Sequence, residues 1–140
     1  MKKLSKLLSV LLIAVFCTMA LTACSPNSDP NKAKSSLEKA GYTTLMLSDV
    51  ISLTGIEVAL GCGRRDVTAT LAASKVNEDK SSESIFIIYF KDAAAAKNCW
   101  DKAKSYIEKE EKDDGETDFT VKRSGKMIYG GTKAAIDAAK

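Results

Sequence analysis

Of the four cysteines in this 140-residue chain, Cys62 and Cys99 are the two whose chemistry depends on whether they meet. Joined, they would close a loop worth about 4 kcal/mol of stability in the chain-entropy picture. Apart, Cys99 is a small apolar residue and Cys62 a loop thiol. Their spacing is not C-x-x-C, so a thiol-redox role has no local motif behind it. Cys62 also lies in Gly61-Cys62-Gly63-Arg64-Arg65. Glycines let successive N–H groups converge into an anion-binding concavity, and guanidinium groups add bidentate donors for a phosphate, a carboxylate or a lipid head group. The plainer reading of Gly61, Gly63, Arg64 and Arg65 is a tight turn into a strand.

Other polar stretches lead less far. Tyr129-Gly130-Gly131-Thr132-Lys133 puts two glycines before a helix start but lacks the spacing of a phosphate loop. The acidic run 108–118 invites a calcium reading. Setting Gly115 at the sixth loop position, however, places Lys112 at the third and Val121 at the twelfth, and the EF-hand pattern fails. The chain has no histidine, which excludes His-dependent nucleophiles, His-ligated zinc and imidazole bases. No acid–base or Ser/Lys pair stands at a diagnostic spacing. Neither a catalytic set nor a metal or cofactor site is expected, and the single tryptophan, Trp100, is expected to pack in the core.

The N-terminal residues say where the chain goes. Lys2, Lys3 and Lys6 precede an uncharged run from Leu7 to Leu21. Fifteen helical residues span about 22 Å, short of the ~30 Å hydrocarbon core, so the run reads as an export signal. Leu21-Thr22-Ala23-Cys24 follows directly and resembles the lipobox of bacterial lipoproteins. The resemblance implies cleavage before Cys24 and diacylation of its sulfur, with palmitate-type chains holding the product on the extracytoplasmic face of the cell membrane. Two acyl chains suffice for stable anchoring. Beyond the lipobox, the K-A-K-S-S-L-E-K-A-G-Y opening and Y-G-G-T-K ending resemble small uncharacterised lipoproteins of Gram-positive bacteria, which carry no activity to transfer.

Residues 1–23 contain three of the 21 basic residues and none of the 18 acidic ones, so the remainder is formally neutral. Nothing global argues for nucleic acid. The expected organisation is a signal peptide over 1–23, a short tether over 24–28 and one domain over 29–140. A domain of that size buries roughly 65% of its unfolded surface, enough for one core.

The elements that must position the candidate residues follow from capping and periodicity. Asp29-Pro30 starts a helix that Gly41 stops. A strand follows over 42–47, and 48–65 is ambiguous, with a short helix through Leu53 and three punctuating glycines. Alternation predicts a strand at 66–75, and the apolar run 84–90 predicts the central strand. Asp92 caps a long helix to about 112. A hairpin turns about Ser124-Gly125, and Thr132 caps a final helix. The predicted class is α+β: a mostly antiparallel sheet of about five strands with helices packed on one face.

The expected function is that of a membrane-anchored, non-enzymatic binding or accessory module for an envelope protein partner or a small ligand. The alternative is a small envelope enzyme or thiol-redox factor using Cys62 and Cys99.

Overall fold

The computed structural model describes residues 25–111 and 118–140; the stretch 1–23 read as a signal peptide, Cys24 and residues 112–117 of the acidic run lie outside the described residues. The fold is α+β, built on a five-stranded sheet in which every neighbouring pair is antiparallel. In chain order the elements are α1 (Pro30–Lys39), β1 (Thr43–Leu47), α2 (Val50–Leu60), β2 (Val67–Val76), β3 (Ser82–Phe90), α3 (Ala93–Asn98), α4 (Trp100–Tyr106) with a π-turn at Ile107–Glu111, β4 (Thr120–Ser124), β5 (Met127–Gly131) and α5 (Lys133–Ala138). The strand order is β1-β2-β3-β5-β4.

The helices cover both faces of this sheet, not one. Ile85, Ile87 and Tyr89 of β3 pack with Ala33 and Leu37 of α1 and with Ala135 and Ile136 of α5. Phe86, Ile88 and Phe90 pack on the opposite face with Leu53 and Leu60 of α2, Ala95 and Ala96 of α3, and Ala103 of α4. The physical reason is written in β3 itself. An unbroken apolar run leaves no polar face for water, so both sides of the strand must be covered. Residues 84–90 are all buried.

Capping explains most boundaries. Asp29 accepts from the N–H of Asn31 at 2.9 Å, with Pro30 at the first helical position. Asp92 accepts from Ala95 at 2.8 Å. Thr132 makes no side-chain cap to α5; Asp118, arriving from another loop, accepts the Lys133 N–H at 3.0 Å instead. The expected long helix from Asp92 is interrupted at Cys99, which sits between α3 and α4 with φ −91° and ψ 0°. Trp100 is half-buried against the second core.

The segment read as a tether is docked onto the domain. Pro26 is buried, the Asn27 N–H donates to Ala139 O at 2.8 Å, and the Tyr89 hydroxyl donates to Asn27 O at 3.0 Å. Folded structure therefore begins at the first described residues, before α1.

Candidate functional site

The stretch left ambiguous by its glycines forms α2, eleven residues long. Asp49 caps it, accepting the Ser52 N–H at 2.9 Å, a bond that also holds the Asp49 carboxyl below its ordinary range. Gly55 is accommodated inside the helix. Gly61 ends it in the left-handed region at φ 61°, with its N–H on Val58 O at 3.2 Å and that of Cys62 on Glu57 O at 2.9 Å. That bond pair is the Schellman termination, which favours glycine because a Cβ is strained there.

The chain then turns sharply into β2. The Asp66 N–H donates to Gly63 O at 3.1 Å, and the Gly63 N–H donates back to Asp66 Oδ2 at 2.9 Å. A Cβ on Gly63 would stand 2.6 Å from that carboxylate oxygen, so glycine is needed here for closeness. Arg65 occupies the positive-φ position at 65°, where a non-glycine residue carries strain. Asp66 is anchored by Lys91 at 2.8 Å; this bond lowers the Asp66 carboxyl and raises the Lys91 ammonium relative to their usual values.

These bonds correct part of the expectation for this loop. The N–H groups of Gly61, Cys62 and Gly63 are spent on the helix terminus and on Asp66, so they do not converge on a ligand. Gly61 and Gly63 act through conformation and close approach. What remains for an anion is the pair of side chains, Arg64 and Arg65, both exposed. Neither is within 4.0 Å of a carboxylate in any ion pair among the described residues.

The two arginines flank a cleft of about 320 Å³ between α2 and the start of β2, lined also by Ser48, Val50, Thr54, Glu57 and Thr68. Glu57 went unnoticed in the sequence. It is only 5% exposed and accepts the buried N–H of Val67 at 3.2 Å, tying α2 to β2. Its signal was present: it is the one charge in the otherwise uncharged helix VISLTGIEVAL. The cleft thus offers two guanidinium groups, three hydroxyls and one carboxylate around an apolar wall.

Cys62 and Cys99 meet as a disulfide with their Cα atoms 5.8 Å apart, inside the range a bridge requires. It fastens the end of α2 to the junction of α3 and α4. Cys99 is buried, at 5% exposure, on the second core.

A larger groove of about 590 Å³ lies at the chain entry, lined by Ser25–Ser28, Ser124–Met127 and Lys140. The Tyr129–Lys133 stretch is no phosphate loop. Gly130 and Gly131 lie within β5, where a Cβ on Gly131 would stand 2.7 Å from Ser84 O. Among the described residues no three His, Cys, Asp or Glu side chains gather as a metal ion would require, and no helix is long and apolar enough to cross a membrane. No protein-family model matches the chain, no curated protein matches it, and no solved structure matches it.

Proposed function

We propose that the protein is a lipid-anchored, extracytoplasmic binding module without catalytic activity, held to the membrane through Cys24, whose cleft recognises an anionic group on a small ligand or on an envelope protein partner. The observation that carries the cleft reading is the placement of Arg64 and Arg65 beside a concavity, with no carboxylate paired to either among the described residues. Guanidinium forks suit carboxylate and phosphate oxygens, and a bidentate contact gives direction as well as charge. The anchor rests on the resemblance of Leu21-Thr22-Ala23-Cys24 to a lipobox. The thiol-redox alternative draws on the pairing of Cys62 with Cys99, but burial of Cys99 favours a structural staple, since exchange needs an accessible sulfur.

The test has two arms. Mass spectrometry of the cellular protein should find an acylated N-terminal Cys24, and Cys24→Ser should leave unprocessed precursor or release the domain. Titration with glycerol phosphate, followed by amide NMR, should shift the 61–68 backbone in the wild type and not in Arg64→Ala/Arg65→Ala. Equal shifts in both proteins would overturn the cleft reading.

A further inference from the structure

The sheet has two unlike ends. The last residue of β1, the first of β2, the last of β3, the first of β5 and the last of β4 share one end, as the pairings Leu47↔Thr70, Val67↔Phe90, Tyr89↔Met127 and Ser124↔Met127 require. The chain also enters the described structure there. Ser25 and Asn27 lie in the groove with Gly125 and Lys126, and Asn27 is bonded to Tyr89 at the end of β3. The opposite end carries the loop 77–81 with Glu78 and Asp79.

Charged groups near the entry end include Arg64, Arg65, Lys91, Lys126 and Lys140 and, against them, Asp29, Asp49, Asp66, Asp92 and Asp137. Each acid is hydrogen-bonded within the fold, the helix caps keeping their charge. Asp29, Asp49 and Asp92 accept backbone N–H groups as helix caps. Asp66 holds Lys91, and Asp137 holds Lys133 and Lys140. By this census the end is formally neutral, and Arg64, Arg65 and Lys126 are its cations without an ion pair among the described residues.

Helix α2 starts at this end, three residues past β1, and its only charged residue, Glu57, is buried, so its exposed side carries no charge. Leu53, Glu57 and Leu60 face the protein; at 100° per residue Ile51, Gly55 and Val58 point the opposite way. Ile51 is 88% exposed, Val58 76% and Val50 67%. A helix without a polar face is stable when both sides meet apolar matter, and only one side here is protein.

We infer that the entry end is a membrane-docking face: α2 sets Val50 and Ile51 into the headgroup boundary of a phospholipid bilayer, and Arg64, Arg65 and Lys126 meet the lipid phosphates. The inference rests on the reading of Cys24 as the acylated residue and names the anion of the cleft as a lipid headgroup. Its occupant follows from where the chain enters. Ser25 is docked on the fold, so an acylated Cys24 is one residue from this end and leaves no tether for the domain to swing on. A partly buried apolar face rimmed by cations is the pattern of interfacial helices on anionic lipid.

The test uses the mature acylated protein in phosphatidylglycerol-containing vesicles, with its native disulfide intact and an environment-sensitive fluorophore on Ile51→Cys or, at the far end, on Asp79→Cys. The Ile51 label should be blue-shifted and quenched several-fold more by bilayer-borne nitroxides than the Asp79 label. In Arg64→Ala/Arg65→Ala at high salt its signal should fall toward the Asp79 level. Amide exchange on unlabelled protein, slowed over 48–66 in vesicles relative to detergent, checks that the label does not create the contact. If the protein floats with vesicles and carries its lipid while both labels remain equally aqueous, the docking face is wrong and the anchor stands. A protein without acyl mass on Cys24 overturns the anchor reading and the docking face together. Saturation of the cleft by inorganic phosphate with no vesicle effect would assign the anion to solution and overturn the lipid assignment.

Discussion

Opening the Cys62–Cys99 bridge should cost this domain a large share of its stability. The bridge joins residues 37 apart in sequence. For a loop of that length the chain-entropy expression gives about 13 cal/mol/K, or about 4 kcal/mol at 25 °C. Because single domains hold only about 5–15 kcal/mol in total, reduction brings this one close to half unfolded at moderate urea. At the ~2.1 cal/mol/K per residue typical of unfolding, the same loss lowers the melting temperature of a domain this size by about 16 °C. The assay is urea denaturation of the oxidised protein, the reduced protein and Cys62→Ala/Cys99→Ala. The double variant should fall about 1 kcal/mol below the reduced wild type, because Cys99 is buried and truncation leaves a small void. A difference under about 1 kcal/mol between oxidised and reduced protein would refute the entropic reasoning. Alkylation of both Cys62 and Cys99 in the untreated protein would refute the bridge itself.

Further outcomes are expected. Gly130→Ala should destabilise by about 2–3 kcal/mol in chemical denaturation, because the added Cβ would overlap Ile107 Cγ2 and stand 3.0 Å from Phe119 Cε1 and 3.1 Å from Val121 Cγ2; Gly55→Ala, with nothing within 4 Å, should stabilise α2 by about 0.5–1 kcal/mol. Lys80→Gly should raise the melting point, since Lys80 holds φ 66° in the 77–81 turn and glycine relieves the strain; an unchanged or lower melting point would count against it. Stability should also fall at both extremes of pH. The Tyr42 hydroxyl and then the Asn77 amide hold the Glu83 carboxyl below its ordinary 4.5, so this contribution is complete above that value and drains as pH falls through the lowered one. Burial pushes the Tyr42 and Tyr89 hydroxyls above their ordinary 10.0, so the unfolded chain ionises first and stability drains as pH climbs past 10.0. Tyr42→Phe should flatten the acid limb of a pH–stability profile, and an unchanged limb would show that Glu83 does not carry it.

Local chemistry was legible in the sequence. Asp29-Pro30, Gly41 and Asp92 mark helix boundaries because capping and left-handed termination need those residue types wherever they occur. The first three strands stand within two residues of their expected bounds and the last two flank the expected turn, since alternation and β-branched density act over a few neighbours. The α+β class and the antiparallel sheet followed from the order of those elements. Even the covering of both faces was encoded, in the unbroken run 84–90, though the element order alone suggested one face.

Everything that depends on distant residues meeting was decided by the tertiary structure. Composition and spacing leave Cys62 and Cys99 equally consistent with a bridge or two thiols; only the packing of α2 against the α3–α4 junction sets their Cα atoms 5.8 Å apart. Gly61 and Gly63 read as anion donors until the cap and Asp66 consume their N–H groups, which leaves the side chains of Arg64 and Arg65 as the loop's remaining donors. Glu57 became part of the cleft because β2 presents Val67 to it, ten residues away. The stretch 25–28 looks like solvated tether by composition, yet Tyr89 and Ala139 hold it. Residue type sets what a side chain can do, and the fold sets which partners it meets.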